Sequence, residues 1–497
     1  MTTAPEAPEA AVAAELDAEY TGVGWWGTLY RAPHRRRWYR LIPVEEIDGD
    51  QRAELLAWQT RPRRVGLVPV MPGERGEQRQ LAGRWFQVVS YETDAPGNLA
   101  DALAGRETAA QLASVAEALR ALPAWRAAIG PELVALPADI VVTGHGPLLL
   151  PLPAWGAPSL GQLFAEPERL AHLTPEAARG LPAGGRDPGL HALAVAALRC
   201  FESPPDADKE RLLQRAACAG VFAPRAQDSL LPSWMRRVEP VREVREQLRA
   251  LSAGLGGTDP ERLADALDEA RRAMDPVTAV GALRAAGRPR QAVGLAHTAL
   301  VDCPGYPLLI LAAEIAHEDL GDPLEALSLL ERAVQADPER VEAYTAQLSI
   351  IGGLWEVVQG RLAGATDGSF AHRLLTTAHT AFDRLPPDLR RKHAHEMAVC
   401  LIGQGELAKA NAFVHQWLHD GDTLMWWRFD LMLDYAETFL LLGRLDAAEQ
   451  VAEQVQTGLR RIRESGHMAQ RHIHEDGMRY AELVRRLHRE RGRETGT

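Results

Sequence analysis

Residues 287–320 read GRPRQAVGLAHTALVDCPGYPLLILAAEIAHEDL, and residues 321–338 begin the same pattern again as GDPLEALSLLERAVQADP. Gly287 and Gly321, Ala292 and Ala326, Ala299 and Ala333, and Pro304 and Pro338 each stand 34 residues apart. The spacing has a mechanical reading. A glycine turns the chain between antiparallel helices, small alanines let the helices approach, and a proline ends the second helix. The G-x-x-x-x-A turn recurs as GELAKA (405–410) and GRLDAA (443–448), where Trp417 and Val455 replace the second alanine. The stretch between Arg340 and Leu401 is helical in pattern but off the period.

This period resembles that of the tetratricopeptide repeat. The resemblance implies helical hairpins over residues 261–485, two well formed, two degenerate and others drifted between them. An α-solenoid of this kind presents a concave surface suited to a protein or peptide partner. Residues 486–497 read as a frayed basic tail.

Working outward, GLGGTDP (254–260) reads as a linker. Upstream of it the texture differs. Residues 1–18 alternate Ala, Pro and Glu and read as a disordered tail. Between residues 20 and 92, runs such as GWWGTLYRA, WYRLIPV, VGLVPVM and RWFQVVSY, separated by Gly, Pro and charged turns, predict strands, with one helix at 51–59. After Asn98, TAAQLASVAEALRALPAWRAAI predicts a helical lobe, followed by an apolar strand pair near DIVV and PLLLPL.

The strand-rich part carries G-V-G-W-W-G-T-L-Y-R-A (22–32), between strands rather than at the start of a helix, and further motifs follow in order. The whole of residues 19–253 resembles a bacterial serine/threonine protein kinase. The resemblance puts Arg40 at the ATP-binding lysine, Glu54 at its partner glutamate, Glu92 to Asp94 at the hinge and Asp139 at the catalytic-loop asparagine. It puts Leu152-Pro153-Ala154 on Asp-Phe-Gly, Thr174-Pro175-Glu176 on Ala-Pro-Glu, and LHALAVAAL on helix F. The implied fold is a bilobal α+β kinase-like domain followed by an all-α solenoid of tetratricopeptide-like repeats.

The departures bear on chemistry. Phosphoryl transfer needs a base, a lysine on the phosphates and a carboxylate holding magnesium. No lysine precedes Lys209, no aspartate lies between Asp139 and Asp187, and none lies between Asp101 and Asp139. Val134 falls at the catalytic aspartate. No catalytic residue is therefore expected. Gly22, Gly24, Gly27, Arg40, Glu54 and Asp139 remain as a degenerate nucleotide cleft, with an Arg40–Glu54 ion pair expected and Trp25 and Trp26 either stacking on a base or blocking the site. No cofactor is expected, ATP being the alternative. The expected function is a pseudokinase signalling scaffold. The alternative is an atypical kinase or kinase-fold transferase using Arg40, Glu54 and Asp139.

Composition bounds the rest. The 497 residues exceed one ordinary core and carry net charge −12, which disfavours nucleic acid as a partner. No long apolar span and no basic leader occur, so a cytoplasmic protein off the membrane is expected. Cys200, Cys218, Cys303 and Cys400 are scattered and read as buried thiols rather than disulfides or metal ligands. His415 and His419 share a helical face but lack further ligands, and the pairs His393/His395 and His472/His474 point to different faces, so no metal site is expected. Trp426 and Trp427 read as core packing or a partner anchor.

Overall fold

The computed structural model describes residues 8–59, 64–71, 77–104, 107–153, 155, 158, 162–163, 169, 172–174, 187–202, 231–255, 257–358, 368–420, 423–424, 428–465 and 470–495. The chain folds as two compact units, Met1–Ala279 and Val280–Thr497.

Unit 1 begins with a five-stranded antiparallel sheet in the order β1-β2-β3-β5-β4: Glu19–Val23, Thr28–Ala32, Arg37–Pro43, Arg84–Glu92 and Gln78–Leu81. Helix α2 (Gly49–Gln59) connects β3 to β4. The two-residue alternation of β3 sorts its side chains between two cores. Tyr39 and Leu41 join Tyr30, Phe86 and Val88 on one face, while Trp38 packs with Leu29, Leu55, Val89 and Tyr91 on the other. Arg40 alternates onto the same face as Trp38.

Helix α1 (Pro8–Leu16) occupies part of the stretch 1–18 read as a disordered tail, of which residues 1–7 lie outside the described residues. Val12 and Leu16 lie one turn apart and are buried against Tyr30, Tyr39 and Phe86. Two well-placed apolar residues outweigh an Ala/Glu-rich composition because the sheet face they cover would otherwise be wet.

After β6 (Gly97–Asn98) and α3 (Leu99–Leu103), the long α4 (Thr108–Ile129) buries Leu112, Val115, Leu119, Leu122 and Trp125. β7 (Ile140–Thr143) and β8 (Gly146–Leu149) pair with β6 in a second small sheet. α5 (Pro188–Phe201), α6 (Glu239–Ser252) and α7 (Pro260–Ala273) complete unit 1; α5 packs on α4 and α6, and α7 lies along α4. Arg120 on α4 reaches Asp265 and Asp268 on α7 at 2.9 and 2.7 Å.

At the start of the stretch 254–260, read as a linker, Gly254 and Leu255 cap α6. Gly254 takes φ +72°, and the Leu255 N–H donates to the Ala250 carbonyl at 2.7 Å. α7, expected to open a separate repeat domain, falls within unit 1.

Unit 2 is helical. After α8 (Pro276–Ala285), which crosses the division at Ala279, the chain runs through α9 (Pro289–Asp302), α10 (Tyr306–Glu314), α11 (Pro323–Ala336), α12 (Val341–Val358), α13 (Gly368–Arg384) and α14 (Pro387–Lys392). It continues through α15 (Ala394–Gly403), α16 (Leu407–Leu418), α17 (Phe429–Leu441), α18 (Leu445–Ser465) and α19 (Gln470–Thr495). α9 and α11 begin 34 positions apart, as the repeat in the sequence requires. From α9 to α13, and again from α15 to α19, each helix packs on the next. Ala292, Ala299, Ala326, Ala333, Ala410 and Ala448 are all fully buried, which is where the small-residue reading puts them.

Gly287, Gly321, Gly405 and Gly443 adopt φ of +70°, +67°, +75° and +70°. At three of them the following N–H reaches back five residues, as Arg288 to Leu283, Glu406 to Leu401 and Arg444 to Phe439. This is the left-handed glycine cap. Before Gly321 the helix widens into a π turn over Ile315–Asp319, and the reach becomes six residues, Asp322 to Ala316.

The C-terminal stretch is also more ordered than expected. α19 runs to Thr495, with Leu483 and Leu487 in the core, Arg486 paired to Glu437, and Arg491 to Asp446.

Candidate functional site

The β1–β2 loop folds inward over β3. Within it, the Gly24 N–H donates to the Gly27 carbonyl at 3.1 Å. A Cβ on Gly24 would lie 2.3 Å from Asp139 Oδ1 and 2.5 Å from Arg40 Nη1, so only glycine fits.

Arg40 is the hub beneath the loop. Nη1 donates to Asp139 Oδ1 at 2.7 Å and to the Trp26 carbonyl at 2.9 Å; Nη2 donates to the Leu150 carbonyl at 3.0 Å and Nε to the Tyr91 hydroxyl at 3.1 Å. Tyr91 donates its own proton to the Pro151 carbonyl at 2.9 Å. The other carboxylate oxygen of Asp139 accepts from the backbone N–H of Trp25 at 2.9 Å and of Leu136 at 3.0 Å. From the helical side, Arg169 donates to the Gly24 and Gly27 carbonyls at 2.9 and 3.1 Å. Arg40, Asp139 and Arg169 are 1%, 3% and 4% exposed.

Burial works against the Arg40 charge, but Tyr91 and Asp139 outweigh it and hold the guanidinium above its ordinary pKa. Burial likewise pushes the Tyr91 phenol up. The cluster is thus a buried, hydrogen-bonded ion-pair knot that ties the loop to the body of unit 1.

Around it the walls are apolar. Trp25, Trp26, Ile42, Ile47, Leu136, Leu163 and Leu173 form one core, with Val134, Leu152 and Trp155 packed against it. Trp26 and Trp155 meet edge to face at 5.5 Å. The cavity that remains beside Trp25, Arg40 and Asp139 measures about 30 Å³, room for water only.

The structure therefore brings together Gly24, Gly27, Arg40 and Asp139 from the sequence reading. Glu54 stands apart. It is exposed and accepts from Trp155 Nε1 at 2.9 Å, so the expected Arg40–Glu54 pair is replaced by Arg40–Asp139. Gly22 sits on the far side of the loop, at a bulge in β1, with Ala138 as its neighbour. Two members escaped the sequence reading. Tyr91 was legible as an inward residue of β5, whereas Arg169 lies in a Pro/Gly-rich stretch that carries no periodic signal. Ala154, Pro175 and Glu176 lie outside the described residues.

In unit 2 a groove of about 510 Å³ runs between α10, the turn after it, α12 and α14. Its floor includes Ile310, Ala313, Val341, Ile350 and Leu389, and Glu314, Glu318 and Glu342 stand along it together with His317, Lys392 and His393. Arg284 on α8 pairs with Glu314, Glu318 and Asp319 and compensates part of that negative charge.

The remaining candidates resolve as packing. His415 and His419 stack at 4.3 Å, and His419 Nδ1 lies 2.9 Å from the His415 carbonyl. Among the described residues no three His, Cys, Asp or Glu groups converge on a metal position. His393 contacts Glu396, and His395 contacts Asp434. His474 is described; the side chain of His472, together with Trp426, Trp427 and Cys218, lies outside the described residues. Cys200 and Cys400 are buried, with burial pushing the Cys200 thiol up to about 12, but Cys303 is exposed, against expectation, because it follows α9 in the turn before α10. No described helix is long and apolar enough to cross a membrane.

No family model matches this chain, and no curated protein matches it. Three solved structures are similar to it, two of them described as a TPR protein or TPR domain. TTC0263, a thermophilic TPR protein of Thermus thermophilus, is 22% identical over 42% of this chain and 98% of its own, with a TM-score of 0.27. PilW, a type IV pilus biogenesis factor, is 17% identical over 42% and 85%, with a TM-score of 0.28. The TPR domain of P58(IPK) is 12% identical over 66% and 80%, with a TM-score of 0.19. At such scores the repeat architecture rests on the internal 34-residue spacing and the glycine caps, not on these likenesses.

Proposed function

We propose that this chain acts by binding protein partners and carries a kinase-like unit that performs no phosphoryl transfer. A five-stranded antiparallel sheet with a helix between its third and fourth strands, followed in the chain by the helices α4 and α5, supports the kinase-like reading of unit 1. The observation that carries the loss of catalysis is the Arg40–Asp139 knot. The two charged groups that a nucleotide would need are spent on each other and on the glycine loop, and the loop's own Trp25 and Trp26 fill the space above them.

Val134 and Leu152, where the catalytic base and the metal-binding carboxylate would stand, are partly buried in that apolar core. Without a base and a cation clamp, a rate loss of about 10² to 10⁴ from the base alone is compounded by the missing metal. What remains is recognition. The tetratricopeptide-like hairpins of unit 2 supply it through the groove between α10 and α12, whose apolar floor and mixed-charge rim suit a peptide presenting apolar side chains.

Incubation of the purified chain with γ-labelled and α-labelled ATP, magnesium and a generic protein acceptor tests the reading. No transfer above the blank is expected. Turnover that disappears in Asp139→Ala would establish a transferase instead.

A further inference from the structure

Unit 1 contains a larger cavity that the kinase-like reading does not use. It measures about 710 Å³ and opens between β1, α3, the turn before β7, and α5. This is the size at which protein pockets hold small organic ligands. Small side chains make the space. Gly22 on β1, Ala100 on α3 and Ala104 at its end, Ala138 in the turn before β7 and Ala196 on α5 reach it from separate elements, and Val23, Leu103 and Leu136 supply aliphatic wall between them. Protein interiors are otherwise close-packed, and a wall of this kind forgoes dispersion contacts unless something covers it. β1 is bulged between Tyr20 and Gly22 at the rim, and such bulges are over-represented beside binding sites.

The polar groups of the wall are largely engaged with the protein itself. His172 Nδ1 lies 3.0 Å from the Ala192 carbonyl and His172 Nε2 3.5 Å from Arg199 Nη1, and both side chains enter further interactions. The Cys200 thiol donates to the Ala196 carbonyl at 3.4 Å. Gln111, in the first turns of α4, donates through Nε2 to the Leu103 carbonyl at 2.6 Å. A carbonyl only accepts, so the amide nitrogen must face it. The amide oxygen of Gln111 is left with no partner among the described residues.

No Asp or Glu lies among the described lining residues, and the one guanidinium is already engaged. An ion entering here would lose its hydration without gaining an open counter-charge. From the void lined by small residues and the open amide oxygen we infer that the cavity binds a neutral, largely apolar small molecule whose single hydrogen-bond donor is received by Gln111. The inference holds whether or not unit 1 is kinase-like.

The test is equilibrium dialysis of the full chain against four compounds built on one ring system: 2-naphthol, its methyl ether, 2-naphthoate and 2-naphthylmethylammonium. It is repeated on Ala104→Trp, which narrows the mouth from the exposed end of α3, and on Gln111→Leu. Saturable 2-naphthol binding is expected, about tenfold or more tighter than either ion and about fivefold tighter than the ether, which lacks the donor. Ala104→Trp should weaken 2-naphthol about tenfold, whereas Gln111→Leu should abolish its advantage over the ether and leave the ether binding as before. Should Gln111→Leu fail to fold, the four compounds on the wild-type chain and on Ala104→Trp decide. No saturable binding, an ion held as tightly as 2-naphthol, or an affinity unchanged by Ala104→Trp overturns the assignment, and an advantage over the ether that survives in Gln111→Leu overturns the role of Gln111.

Discussion

Asp139 is three residues past Leu136 and holds the Leu136 N–H, the Trp25 N–H and the Arg40 guanidinium at once. Neutralising it leaves Arg40 charged and 1% exposed without its counter-ion. Breaking one side of a buried pair costs about 3–5 kcal/mol, whereas replacing both sides by apolar groups is often neutral. Asp139→Asn is thus expected to lower unfolding stability by an amount in that range, and the Arg40→Met/Asp139→Leu double variant to recover most of it. Denaturant titration decides; a loss in Asp139→Asn below about 1 kcal/mol, the size of an exposed pair, would contradict the burial argument. Of this cluster, the sequence made Arg40 and Asp139 visible through motif order. Their direct pairing was not legible, because it depends on the loop collapsing where a glutamate from α2 was expected to reach.

At the scale of elements, the glycine caps make opposed expectations. Gly321 sits at φ +67° with open space around it, so Gly321→Ala is expected to cost about 1–2 kcal/mol from backbone strain alone. Gly294 lies within α9, also in open space, and Gly294→Ala is expected to gain up to about 1 kcal/mol. Thermal unfolding of the two variants should move in opposite directions; movement in the same direction would mean that the caps are not what sets the hairpins.

His172, through Nδ1 and the Ala192 carbonyl, contacts α5 and gives a pH signature. Its folded pKa lies well below 6.5 while the unfolded chain titrates near 6.5, so the unfolded state binds the extra proton. Stability from this group is complete above about pH 6.5 and falls as the pH drops beneath that value. The difference in unfolding midpoint between the wild-type chain and His172→Gln should shrink on acidification over that interval; a pH-independent difference removes His172 as the cause. Elements governed by strong periodicity, such as α4, α9 and α11, were legible from the sequence. α1 and the end of α19 were not, because composition over a dozen residues hid two pairs of apolar residues one turn apart, Val12 with Leu16 and Leu483 with Leu487. The cap at Gly254 was not separable from a linker in the sequence because the same glycine signal serves both.

For the whole molecule, the sequence conveyed a strand-rich beginning and a helical remainder, and the 34-residue period located the repeat itself. Where the units divide was less legible. α7 carries the helical pattern of the later hairpins yet packs on α4, and only tertiary contact distinguishes those two fates. The proposed function follows from how unit 1 spends its charged groups, and that claim is open to a direct thermodynamic measurement. Titration of the full chain with ATP, with and without magnesium, is expected to give no saturable heat up to millimolar nucleotide, about the weakest affinity that matters physiologically. Saturable, magnesium-dependent binding that is lost in Arg40→Met would mean that the loop opens and that the cleft beneath Trp25 and Trp26 is a working nucleotide site, contradicting the account.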